Sequence, residues 1–167
     1  MNTVLYVAYH EAGHAVAAAV LGQSVQRIGI ARDPKNRETT GQGYCDWLST
    51  PGFTADELLQ TKLTVTSAAL VATDMAKLKA EDQTTENLSG TAVLRDHLNE
   101  MRKVYGEFHP NYDGFDDMYL TAWKNAAILV SRHFPVVMTL AKELIAKDEI
   151  SGEEAHAIIR ASLGQSR

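Results

Sequence analysis

The residue pattern predicts a mostly α protein of the α+β class, with one small sheet near its front. Helical segments carry recognisable stops and starts, at Gly22 and at Thr54-Ala55-Asp56-Glu57. A single β-branched stretch, Ser24–Ala31, lies between them. There is no internal repeat, low-complexity tract or linker, so the 167 residues read as one domain spanning 1–167. Apolar residues make up 45% of the chain, enough to bury a core.

Taken in order, a helix is expected from Thr3 to Leu21, stopped by Gly22, then a strand over Ser24–Ala31. Arg32–Gly43, rich in charge and glycine, reads as a loop, and Tyr44–Leu48 as a short edge strand. Thr54 and Glu57 form a capping box that opens a helix running to about Lys79, with a break near Thr64–Ser67. Glu81–Thr91 is polar and turn-rich. Further helices are expected over Ala92–Tyr105, ended by Gly106, then over Asp117–His133, Pro135–Lys147 and Glu153–Leu163. Ser151 caps the last of these.

Charge and targeting signals narrow the function classes. The net charge of -5 gives no electrostatic footprint for nucleic acid. Val4–Leu21 is rich in Ala and Val, but His10, Glu11 and His14 interrupt it and no basic residue precedes it. Neither a signal peptide nor a membrane span is expected, since a span needs roughly 20 mostly apolar residues. The lone Cys45 forms no internal disulfide, and a cytoplasmic protein is the expectation. The polar residues of the opening helix therefore need a reason to be there.

That reason is the segment His10-Glu11-Ala12-Gly13-His14. An i, i+4 spacing stacks the two imidazoles one turn apart on one helix face, where they can share a divalent cation. Neutral imidazole suits Zn2+, and two such ligands leave room for a third protein ligand and a water. Glu11 sits beside the first histidine, placed to act as general base on that water without ligating the metal. Gly13 leaves space for another backbone element to pack against the metal-bearing turn.

Tyr9-His10-Glu11-Ala12-Gly13-His14-Ala15 resembles the zinc peptidase domain of the FtsH-type AAA+ membrane proteases. Further similarity lies in Ile28-Gly29-Ile30, Gly43-Tyr44 and Ser67-Ala68-Ala69-Leu70-Val71-Ala72. It continues in Leu140–Leu144 and Ile150-Ser151-Gly152-Glu153-Glu154. The resemblance implies a zincin-like fold with a C-terminal helical bundle, zinc as cofactor, and a peptide or unfolded protein as substrate. It also implies a cleft strand at Gly43–Trp47 that takes the substrate by strand addition. It leaves open a ring-like homo-oligomer and a separate ATPase partner, because these residues hold no G-x-x-x-x-G-K-[ST] phosphate loop.

The family's third metal ligand is an aspartate in a T-G-A-x-N-D-L pattern. The matching region here reads Thr84-Thr85-Glu86-Asn87-Leu88-Ser89-Gly90-Thr91-Ala92, with no aspartate in register. One alignment offers Glu86 as third ligand; another places Leu94 at the ligand position, with Asp96 two residues later. Asp82 and Asp74 are weaker candidates. A catalytically degenerate relative, serving as a binding or assembly module, is the alternative this departure raises.

The remaining candidates have plainer readings. His97, His109, His133 and His156 repeat no ligand spacing and are expected at the surface or partly buried. Asn111–Asp117 lacks the ligand order of a calcium loop and reads as a solvated loop and helix cap. Cys45, Trp47 and Trp123 are expected to pack.

Overall fold

A computed structural model describes residues 3–32, 35, 40–79, 98–99, 101–103, 105–107, 109 and 114–164. The elements run α1 (Thr3–Val20), β1 (Ser24–Arg32), β2 (Thr40–Leu48), α2 (Ala55–Lys79), α3 (Phe115–Lys147), β3 (Glu149–Ser151) and α4 (Gly152–Gly164). The chain is thus mostly helical, with one three-stranded antiparallel sheet of order β2-β1-β3. Among the described residues no helix is long and apolar enough to cross a membrane.

α1 is the centre of the molecule, packed on α2, α3, β1 and β2. Its small residues make this possible: Ala8, Ala12, Ala15, Ala17 and Ala18 are fully buried, so neighbours close in on it from several sides. It ends in a Schellman motif. The amide of Gly22 donates to the Ala19 carbonyl and that of Gln23 to the Ala18 carbonyl, with Gly22 at φ 78°. Glycine takes that left-handed conformation without a Cβ penalty, which is why the helix stops there.

The sheet is larger than the sequence predicts. β2 begins at Thr40, inside the stretch read as a loop, and β1 extends to Arg32. The third strand, β3, pairs Ile150 with Ile28 and had no signal of its own, since three residues are too few to display alternation. Arg32 fastens the end of β1 to the α3–β3 corner by donating to the Asp148 carboxylate and the Ile145 carbonyl. Across the sheet's outer face, the Tyr44 ring lies over Gly29, where any Cβ would collide with it, and its hydroxyl donates to Glu149 on β3. Arg27 sits 5.0 Å above that ring and 2.6 Å from Asp46.

Two helix boundaries differ from expectation. α2 runs without a break through Thr64–Ser67, because Thr64 returns its hydroxyl to the Gln60 carbonyl and Ser67 is buried within the core. α3 holds non-helical backbone at His133 (φ -109°, ψ 16°), so two helical segments meet at a kink there, where the boundary between two helices was expected. Pro135 has no N–H to give the preceding turn, so the rod bends. Ala126, Val130, Phe134, Val137 and Leu140 are buried on both sides of the bend and keep the two segments packed on the core. Gly106 lies within helical backbone and does not end it. Met101 and Tyr105 cover a second apolar cluster with Leu59, Leu63 and Phe115.

The capping box at the start of α2 forms as read. The Thr54 amide donates to Glu57 at 2.8 Å, and the Glu57 amide to the Thr54 hydroxyl at 3.3 Å. These bonds hold the Glu57 carboxyl below its usual range. Thr54→Ala should lower stability by about 1 kcal/mol, seen as a lower urea midpoint with an unchanged slope. An unchanged midpoint would mean that the cap adds nothing.

Candidate metal centre

His10, Glu11 and His14 all lie in the middle of α1, away from both ends of the helix. The helical spacing brings the two imidazoles together edge to face, with ring centroids 4.9 Å apart. Both rings are half-buried. His14 Nδ1 lies 3.0 Å from the Val65 carbonyl of α2. A carbonyl only accepts, so Nδ1 carries a proton, and in the neutral ring Nε2 then carries the lone pair. This is the tautomer a metal-binding imidazole needs, with its second nitrogen held by a backbone acceptor.

Glu11 is 6% exposed, on the side of α1 that meets β2. Burial pushes its carboxyl from an ordinary 4.5 up to about 8. Gly43 is its close neighbour on β2: a Cβ built there would lie 2.5 Å from Glu11 Oε1 and 2.6 Å from Val7 Cγ1. Cys45, two residues on, is partly buried, and its thiol is pushed up by burial first and by the Glu11 charge second. It is thereby kept as an unreactive thiol.

Gly13 is the contact point between α1 and α2. A Cβ there would come within 2.8 Å of Ala72 Cβ, 2.9 Å of the Ala68 carbonyl and 3.0 Å of Ala69 Cα. The small-residue run of α2 therefore fits against this glycine, and the fit sets the Val65 carbonyl beside His14. Tyr9 turns the other way and stacks on Phe134 of α3, with centroids 5.9 Å apart.

Two imidazoles of fixed spacing beside a buried carboxylate fit a borderline divalent ion such as Zn2+. Among the described residues no group of three His, Cys, Asp or Glu side chains is placed to hold one. Glu86, Asp96 and Asp82 lie outside the described residues, as does His97. Asp74 is 64% exposed and paired with Lys77 at 3.3 Å, apart from the histidines. His156 accepts the Val25 amide at 3.1 Å, and His109 stacks on Tyr105. Trp47 and Trp123 pack against the main core, and Asp116 and Asp117 sit in the first turn of α3.

The Val65 carbonyl is the part of the site that residue-type reasoning misses, because a backbone acceptor leaves no trace in side-chain chemistry. No protein-family model matches the chain, and no curated protein matches it.

Proposed function

We propose that this chain is a zinc-dependent peptidase domain, similar to that of the FtsH-type proteases, hydrolysing peptide bonds in unfolded or extended segments. The observation that carries the reading is the hydrogen bond from His14 Nδ1 to the Val65 carbonyl, at 3.0 Å. It presets one imidazole of an H-E-x-x-H turn for a metal before any metal arrives. His10 and His14 are the protein ligands, and a carboxylate from the Glu81–Asp96 region, Glu86 or else Asp96, is the third.

When bound, zinc supplies a Lewis acid that polarises a carbonyl and makes water a nucleophile near neutral pH. Glu11 is the proton acceptor: its carboxylate lies beside His10 on the same turn and is screened from bulk solvent by Gly43 and Val7. The same carboxyl can return that proton to the leaving amine. β2 is an edge strand, so an extended peptide can add to it in antiparallel pairing past Gly43. A separate ATPase would be needed to deliver folded substrates.

The purified protein should carry about one zinc per chain. His14→Ala should lose the metal, and with it casein cleavage, while circular dichroism stays unchanged. Zinc-free wild type, or cleavage that survives His14→Ala, would overturn the reading. The degenerate binding module remains the second reading, favoured by the absence of an in-register aspartate in Thr84–Ala92. Stoichiometric zinc without any Glu11-dependent cleavage would select it.

A further inference from the structure

Gly43 stands at a point of β2 where nothing in the backbone calls for glycine. Its φ lies outside the left-handed region, and it faces Ile30 in register that is unbroken on either side, so neither a turn nor a bulge explains it. Glycine inside a strand is otherwise a weakness, with no side chain to pack. What excludes a larger residue is space. An added methyl would lie 2.5 Å from Glu11 Oε1, 2.6 Å from Glu11 Cγ and 2.6 Å from Val7 Cγ1.

The other closely packed glycines of the core differ in what they face. At Gly13 and Gly152 an added methyl would meet main-chain atoms or the Ala72 Cβ, none of which can swing aside. At Gly43 it would meet the long Glu11 side chain, which turns about its own bonds, and one methyl of Val7. A side chain there would therefore move the carboxyl, by about 1 Å to regain ordinary contact, sooner than part β2 from α1.

The main chain of Gly43 has a separate use. Ile30, opposite it, donates its amide to the Asp148 carbonyl at 2.8 Å, on the β3 side. That pair is not bonded across β1 and β2, so the Gly43 N–H and C=O point to the outer edge of the sheet. These groups survive substitution by alanine, which makes strand pairing and the placing of Glu11 separable.

We propose that Gly43 is a positioning residue for Glu11: its missing side chain fixes where the carboxyl lies, beside the backbone groups with which an extended peptide would pair. The inference rests on the peptidase reading, in which Glu11 is the base.

The test compares wild type, Gly43→Ala, Glu11→Gln and the double variant. Gly43→Ala should lower kcat on a fluorogenic peptide about 100-fold, with KM within about twofold of wild type. Zinc content should stay at about one per chain, because the methyl meets neither histidine. In the Glu11→Gln background the same change should leave the residual rate where it is, since the group it displaces is already out of action. Metal-free crystal structures should show the Glu11 carboxyl moved by about 1 Å while α1 and β2 superpose. If Gly43→Ala alone does not fold, all four are made on Val7→Ala, which removes the second contact. Undiminished kcat in Gly43→Ala, an equal loss in the Glu11→Gln background, or an unmoved carboxyl would overturn this inference and leave the peptidase reading intact. Wild type without cleavage would overturn both.

Discussion

Glu11→Gln should abolish cleavage and, in the metal-free protein, raise stability. Loss of a general base costs about 10²- to 10⁴-fold in turnover, read as kcat on a fluorogenic peptide with zinc content unchanged. The stability gain follows from the same burial. The Glu11 carboxyl is raised from 4.5 to about 8 in the fold, so the folded state holds a proton that the unfolded chain releases. Stability from the neutral form is complete below the unfolded value. It declines as pH climbs toward the folded value and levels off above it. Glutamine does not titrate, so the variant should be about 1–3 kcal/mol more stable than wild type at pH 8 and somewhat less stable than it near pH 4.5. The range falls short of the full shift because an amide at 6% exposure is still a buried polar group. Urea midpoints measured in EDTA at both pH values decide the matter. A variant less stable than wild type at pH 8 would mean that Glu11 makes a favourable contact inside the protein.

Gly13→Ala separates packing from helix propensity, because the two predict opposite signs. In an open helix the change to alanine stabilises by about 1 kcal/mol. Here the added methyl would meet Ala72 Cβ at 2.8 Å and the Ala68 carbonyl at 2.9 Å, neither of which can swing aside. Overpacking of this kind costs about 1–3 kcal/mol, so the clash outweighs the gain in propensity. The effect then reaches the site. Pushing α2 outward carries the Val65 carbonyl away from His14, and loss of such a supporting bond weakens metal binding about 10- to 100-fold. Competition with a zinc indicator and unfolding in EDTA would read the two effects separately. A stabilised variant with undiminished zinc affinity would show instead that α2 yields to the methyl at no cost to His14.

The placing of His10 and His14 together on one helix, with Glu11 beside them, was readable because it depends on spacing along that helix, and a helix fixes spacing rigidly. The capping box and the Gly22 stop were readable for the same local reason. β3 was not, because its three residues gain strand geometry only from pairing with β1. The kink of α3 was readable from Pro135, which has no N–H to give the turn before it. Thr40–Gly43 was hidden by its glycines and polar residues, which sit at an edge strand held in place by β1.

β1 has unequal neighbours: β2 follows it directly as a hairpin, whereas β3 arrives from near the other end of the chain. Hairpins close quickly, while pairing across most of a polypeptide is slow. Until Ile150 reaches Ile28, the strand beside the histidine helix is held on one flank only. A nascent chain would therefore display an unfinished sheet during synthesis, and the centre would acquire its final shape among the last events of folding.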